Sequence, residues 1–220
     1  MKVALISDSH GMLPPVAQFS GADFVLHAGD IGPDVEPLEW FSEVFCPWAE
    51  ELGIPIYMTW GNHDFIGERF DIKLNLPSNV SIHVDEQVEI AGKKVWFSPW
   101  SNLFGDWAFM KPESGLAKVY AQIPDDTDVI VSHGPPQGLG DEIFWDGGYQ
   151  HVGSKNLLAR LKSLPKVSLV VCGHIHEARG YYGLDEREVA ENDELIDVWN
   201  ASLVNQRYQP VHKPIIIDFM

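Results

Sequence analysis

Lys2-Val3-Ala4-Leu5-Ile6-Ser7-Asp8-Ser9-His10 (residues 2–10) is a short apolar run that ends in a carboxylate and an imidazole two positions apart. Runs of this kind read as buried strands, and open α/β sheets place their ligands beyond the carboxyl ends of strands. The same arrangement recurs four times. Gly29-Asp30 follows Phe24–Leu26, Gly61-Asn62-His63-Asp64 follows Ile56–Trp60, His133 follows Val129–Val131, and Gly173-His174-Ile175-His176 follows Val170-Val171. Five strand ends therefore bring three Asp, one Asn and five His to one region. That mixture of oxygen and nitrogen donors suits divalent Mn, Fe, Co, Ni or Zn better than calcium. The pattern predicts a metalloenzyme.

Working outward, Val3–Asp8, Phe24–Asp30 and Pro55–Trp60 read as strands, with an amphipathic helix over about 36–52 before the third. Val80–Val84, Gln87–Ile90 and Lys94–Phe97 follow as short strands, the last two joined by the hairpin signal Ala91-Gly92-Lys93. Glu113–Ile123 reads as a helix between Pro112 and Pro124, and Ser154–Leu164 as another, with Leu157, Leu158, Leu161 and Leu164 at helical spacing. Asp128–Ser132, Val167–Cys172, Tyr181–Leu184, Ile196–Asn200 and Pro214–Phe219 read as strands. So many strands with few long helices predict an α/β fold in which two sheets pack face to face with helices outside.

The 220 residues fit a single domain over 1–220 with a core that needs no disulfide. Cys46 and Cys172 fall in an expected helix and a buried strand, which suits reduced thiols in a cytoplasm. The start of the chain lacks a signal-peptide pattern and no stretch is long and apolar enough to span a membrane, so a cytoplasmic protein is expected. Net charge is −17, and Lys93-Lys94 is the only adjacent pair among fifteen scattered basic residues. Nonspecific binding of long nucleic acid needs a basic surface that displaces counterions, so such a partner is disfavoured. The acidic stretch Asp185–Glu194 reads as a solvated hairpin loop.

Taken singly, each donor block has an ordinary explanation as turn chemistry or as a structural histidine. Taken jointly, Asp8-Ser9-His10, Gly29-Asp30, Gly61-Asn62-His63-Asp64, His133 and Gly173-His174-Ile175-His176 resemble, block by block and in order, the calcineurin-like metallophosphoesterase superfamily. Ser98-Pro99-Trp100, Asp106-Trp107-Ala108-Phe109, Ser132-His133-Gly134-Pro135-Pro136, His151-Val152-Gly153, Cys172–Glu177 and Asn200-Ala201-Ser202 are similar to one branch of it. That branch contains animal metallophosphoesterase-domain proteins and is similar to class III cyclic nucleotide phosphodiesterases. Ser9 and Asp64 depart from residues common among those relatives.

The resemblance implies a four-layer αββα sandwich with two mixed β-sheets and two divalent metal ions. It implies Asp8, His10, Asp30 and His176 as ligands of one ion and Asp30, Asn62, His133 and His174 as ligands of the other, with Asp30 shared. The expected reaction is hydrolysis of a small phosphodiester, a nucleotide or cyclic nucleotide, by a metal-bridging hydroxide. The same centre in relatives serves phosphomonoesters, phosphoproteins or nucleic acids, and a noncatalytic scaffold with this fold is a further alternative. Asn62 and His63 are expected to meet substrate. His63 carries the role of acid or phosphate donor, and Asp64 is expected to orient it. Arg179 is a candidate phosphate contact. His27, His83 and His212 read as structural, and His151 as a loop anchor or pocket wall. Trp100, Phe104, Trp107, Phe109, Phe144, Trp145 and Tyr149 form two aromatic loops, read first as packing against sheet edges and second as a surface for a nucleobase.

Overall fold

The computed structural model describes residues 1–69, 73–185 and 195–219. Most of the acidic stretch Asp185–Glu194 lies outside them. Along the chain run strand β1 (Lys2–Ile6), β2 (Phe24–His27), helix α1 (Pro37–Trp40), α2 (Cys46–Leu52), β3 (Ile56–Met58), β4 (Val80–Ile82), β5 (Glu86–Ile90) and β6 (Lys93–Ser98). The short strands β7 (Ser101–Asn102) and β8 (Met110–Lys111) precede α3 (Glu113–Tyr120) and β9 (Val129–Ser132). A hairpin of β10 (Glu142–Trp145) and β11 (Gly148–His151) leads to α4 (Lys155–Ser163), β12 (Leu169–Cys172), β13 (Gly180–Leu184), β14 (Ile196–Asn200) and β15 (Ile215–Asp218). The helix expected over about 36–52 is present as α1 and α2 joined by a π-helical segment, Phe41–Phe45, which turns Phe41 and Phe45 into the core.

Two mixed sheets result. The first has the order β15-β1-β2-β3-β4, the second β13-β14-β12-β9-β6-β5. Strands β1 to β4 run parallel to their neighbours, as do β6, β9, β12 and β14, while β15, β5 and β13 are antiparallel edges. Strands buried on both faces are largely apolar, which is why Val3–Ile6 of β1, Phe24–Leu26 of β2, Val129–Val131 of β9 and all of β12 are apolar runs.

Three apolar layers account for the stacking. Val3, Leu5, Leu26, Phe97, Val131 and Val171 fill the space between the sheets. Ala4, Val25, Phe41, Phe45 and Met58 bind the first sheet to α1 and α2, and Leu116, Tyr120, Leu157, Leu161 and Val170 bind the second to α3 and α4. Alternate residues of one strand thus face different layers, as the two-residue period requires. The architecture is the expected αββα sandwich.

Two expectations needed revision. The aromatic segment around Phe144 and Trp145 is a two-stranded hairpin, not a loop; Glu142, Phe144, Trp145, Tyr149 and Gln150 are all exposed, so no buried face marks its strands in the sequence. The strand ends at β1, β2 and β3 stop two to three residues short of the sequence reading, because the chain leaves the sheet to build the site.

Candidate metal centre

All five donor blocks stand just beyond the carboxyl ends of parallel strands: Asp8 and His10 after β1, Asp30 after β2, Asn62 and His63 after β3, His133 after β9, His174 and His176 after β12. Neighbouring ends are laced by backbone bonds, among them Asp8 N–H to Gly29 O (2.9 Å) and Gly173 N–H to His133 O (3.0 Å). Among the described residues ten non-glycine residues have positive φ, and Asp8 (52°), His10 (42°), Asp30 (54°) and His174 (69°) are four of them. This conformation costs a side-chain-bearing residue roughly 1–3 kcal/mol and persists where surrounding structure forces it, as at functional sites. Tight packing behind the cluster demands glycine. A Cβ on Gly61 would lie 2.7 Å from His133 Cε1, and one on Gly173 2.6 Å from Ser7 Cβ.

Three sets of potential ligand atoms each lie within 4.8 Å of one another: Asp8, His10 and His176; His10, Asp30 and His63; Asp8, Asp30 and His133. Asp30 Oδ2 sits between His10 Nε2 (3.7 Å) and His133 Nε2 (3.5 Å), the place of a shared carboxylate. Asn62 Oδ1 is 2.8 Å from His133 Nε2. His10 Nε2 is 3.3 Å from His176 Nε2, which in turn is 3.4 Å from Asp8 Oδ1. His174 stands outside these sets and lines the cleft, with its ring centroid 5.1 Å from that of His133.

The protonation of this cluster tells what it fits. His133 Nδ1–H donates to Ala28 O at 2.9 Å, so its Nε2 presents a lone pair to the centre. Burial lowers the His133 imidazole to about 4 and the His10 imidazole to about 3, so both are neutral near pH 7. Burial, followed by the charges of Asp8 and Asp64, pushes the Asp30 carboxyl well above its usual value, so its charge lacks a counterpart. Asp8 is held low in spite of burial by the hydrogen bond and charge of His176, and His176 is raised in spite of burial by Asp8. Imidazole lone pairs and buried carboxylates converging on one point form a donor set for cations, and the residues present fit divalent metals.

A supporting layer holds the donors. Ser202 Oγ–H donates to Asp8 Oδ2 (2.6 Å), and His174 N–H to Asp8 Oδ1 (3.0 Å). The Asn200 amide donates to Gly140 O (3.0 Å) and Ile175 O (2.8 Å), tying the loop after β12 to its neighbours. His27 is structural: its Nδ1 accepts from Gly29 N–H (3.2 Å) and its Nε2 meets Ser9 Oγ (3.1 Å), whose own proton goes to Ile31 O.

His63 lies beside the cluster with its N–H on Asp30 Oδ1 (2.8 Å). The carboxylate at its ring is that of Asp34, 2.9 Å from Nδ1. Asp64, expected in that role, instead accepts from the backbone N–H groups of Ile31 (3.0 Å), Gly32 (3.2 Å) and Gly61 (2.8 Å), and burial raises its carboxyl to about 7. The turn at Gly61–Asp64 sends successive side chains in different directions. Arg179 is not brought to the cluster either. Its guanidinium donates to Ser202 O (2.6 Å) and Lys213 O (2.7 Å), clamping the two ends of the loop between them. His151 bonds Asp141 (2.7 Å) and anchors its loop.

A cleft of about 440 Å³ opens over the donors, lined by Asp30, Asn62, His63, His174 and His176 together with Phe104, Phe144 and Tyr208. The two aromatic loops divide. Phe109 is buried and Trp100 bonds Asp85, whereas Phe104 and Phe144 face the cleft and Trp107 lies over His63, ring centroids 4.3 Å apart. Asp34 and Tyr208 escape a reading by motif, since Asp34 lies in a Gly-Pro-Asp turn and Tyr208 in a late loop with no donor block beside it.

Residues 1–178 match the sequence profile of the family described as calcineurin-like phosphoesterase. The chain belongs to the calcineurin-like phosphoesterases. Metallophosphoesterase domain-containing protein 1 of Homo sapiens is 28% identical over 240 residues, an alignment covering 97% of this chain and 69% of the human one. An uncharacterised protein of Methanocaldococcus jannaschii is 30% identical over 189 residues, 81% of this chain and 82% of that one. The solved NAD nucleotidase of Haemophilus influenzae superposes with a TM-score of 0.51 at 13% identity, across 99% of this chain and 49% of that one, so this chain spans about half of the nucleotidase and the likeness is one of fold. As a calcineurin-like phosphoesterase carrying these ligand groups, the protein is a metal-dependent phosphoester hydrolase. Among the described residues no helix is long and apolar enough to cross a membrane.

Proposed function

We propose that this phosphoesterase hydrolyses small phosphodiesters, nucleotides or cyclic nucleotides, at two divalent ions drawn from Mn, Fe, Zn, Ni and Co. One ion is assigned to Asp8, His10, Asp30 and His176, the other to Asp30, Asn62, His133 and His174. The observation that carries the reading is the cleft itself, which sets Phe104, Phe144 and Tyr208 around the donor cluster and, among the described residues, has no Lys or Arg in its lining. Aromatic walls suit a planar base, and the phosphoryl group of such a substrate meets its positive charge at the cluster. Bound divalent ions supply Lewis acidity and lower the pKa of water.

The residues of the chain do the rest. With Nδ1 committed to Asp34, His63 turns Nε2 to the cleft, where it serves a phosphoryl or leaving oxygen. Asp30 positions His63 through its backbone N–H. Asn62, half of the ligand pair with His133, also borders the cleft and meets substrate. The net charge of −17 repels long polyanions, whereas a mononucleotide brings one phosphate to the ions. The free thiols Cys46 and Cys172 favour a cytoplasmic setting.

Hydrolysis of bis-p-nitrophenyl phosphate and p-nitrophenyl phosphate, each with Mn, Ni, Zn or Mg, separates diester from monoester chemistry. Cyclic 2′,3′- and 3′,5′-nucleotides are then set against long single-stranded DNA at physiological salt. Diesters are expected to exceed monoesters, and small diesters to exceed DNA, in kcat/KM. A higher value for DNA would replace this reading with a nuclease, and a higher value for the monoester with a phosphomonoesterase.

A further inference from the structure

Tyr208 lies far in sequence from every donor block, yet its ring packs edge-on against three imidazoles of the centre. Ring centroids are 4.8 Å from His10, 5.1 Å from His176 and 5.9 Å from His63. Its hydroxyl stands 3.5 Å from His63 Nε2, the ring nitrogen left free by Asp34. Tyr208 lines the cleft, and the residue is 46% exposed.

The loop that presents it is built for placement. Asn205 Oδ1 accepts the N–H groups of Arg207 (2.9 Å) and Gln209 (3.1 Å), and Tyr208 N–H donates to Asn205 O (2.8 Å). Asn205 N–H closes the turn on Gln209 O (3.0 Å), and Val204 pairs with Pro210. Arg179 grips the carbonyls of Ser202 and Lys213 at the base. Tyr208 itself adopts φ 56°, a left-handed conformation that glycine or asparagine takes at less cost. A loop serving only to close a turn has no need of tyrosine at that position.

We propose that Tyr208 is a further catalytic residue, donating its phenolic O–H to an oxygen of the substrate phosphoryl group alongside His63. Two polar atoms 3.5 Å apart both come within hydrogen-bond reach of one oxygen placed between them and the donor cluster. The phenol keeps its proton in this step. An oxygen from water forms its bond to phosphorus, and the bond from phosphorus to the leaving oxygen breaks with its electron pair going to that oxygen. The proton lost by the water is balanced by the one the leaving oxygen takes up, while the phenolic O–H holds the charged phosphoryl oxygen. A neutral donor aimed at developing charge acts mainly on the transition state. Tyr208 is thus a second donor whose chemistry differs from that of an imidazole. Arg179 and Asn205 are positioning residues that act through it.

This inference rests on the phosphoesterase reading, and its test separates the two. Tyr208→Phe keeps the ring against His10 and His176 and removes only the hydroxyl. With bis-p-nitrophenyl phosphate and the best diester found, kcat is expected to fall about tenfold or more with KM within about twofold and metal content unchanged. In a double-mutant cycle with His63→Ala, the two losses are expected to be less than multiplicative, since both groups serve one oxygen. Retention of kcat within about twofold by Tyr208→Phe overturns the proposal, as does loss of bound metal, which would make Tyr208 a cover for the ligands. Wild-type protein loaded with each metal and inert toward every phosphoester would instead overturn the reading on which the proposal rests.

Discussion

His63 is held by two carboxylates with different duties: Asp30 takes its backbone N–H and Asp34 its ring. Asp34 is more than half exposed, and exposed ion pairs contribute little stability. Asp34→Asn is therefore expected to leave unfolding and metal content unchanged while slowing diester hydrolysis by about tenfold, less than the 10²–10⁴-fold worth of a general acid itself. Steady-state rates beside a urea melt check both halves. Asp64→Ala should do the reverse. It strands the N–H groups of Ile31, Gly32 and Gly61 in the interior, which costs about 3 kcal/mol or more and loosens the loops that carry Asp30 and Asn62. Reduced metal occupancy together with a lower unfolding midpoint is the expected result; an unchanged midpoint would refute it. Ligand types were legible in the sequence because metal chemistry restricts them to few residues. The partner of His63 was not, because it comes from 29 positions away and the adjacent carboxylate, Asp64, faces elsewhere.

At the scale of elements, α4 is capped twice. Ser154 Oγ accepts Leu157 N–H (3.2 Å) at its N-terminus, and Glu113, from the first turn of α3, reaches across to accept Lys155 N–H (2.9 Å) and the Asn156 amide. Removing the first cap by Ser154→Ala should cost about 1 kcal/mol. Although burial alone would raise the Glu113 carboxyl, the bonds from Asn156, Lys155 and Ser154 bring it below its ordinary 4.5. A carboxyl lowered in the native state stabilises above its unfolded pKa, and that contribution is lost as pH falls through the native value. Wild type should lose stability below about pH 4.5 more steeply than Glu113→Gln in matched denaturant titrations. Helices and buried strands could be read from the sequence because apolar period and length distinguish them. The hairpin of β10 and β11 could not, since its residues face solvent on both sides and leave no period to read.

Across the whole molecule, the donors are divided between the sheets: Asp8, Asp30 and Asn62 follow strands of the first, His133, His174 and His176 strands of the second. Three apolar layers hold the sandwich independently of the cluster. Chelation is therefore expected to abolish hydrolysis and lower the melting temperature while the far-UV circular dichroism is retained, because ions that bind only the native state stabilise it by mass action. Collapse of the dichroism on chelation would show that the layers do not suffice. The sheets also touch directly at the site: Ser7 N–H donates to Ala201 O (3.0 Å), and Leu203 N–H to Ser7 O (2.9 Å). That seam makes the centre a vernier for the offset between the sheets, with one jaw on each. If the centre holds two ions as proposed, a bulky substitution deep between the sheets, such as Leu26→Trp, would be registered in manganese-loaded protein as altered magnetic coupling at the centre.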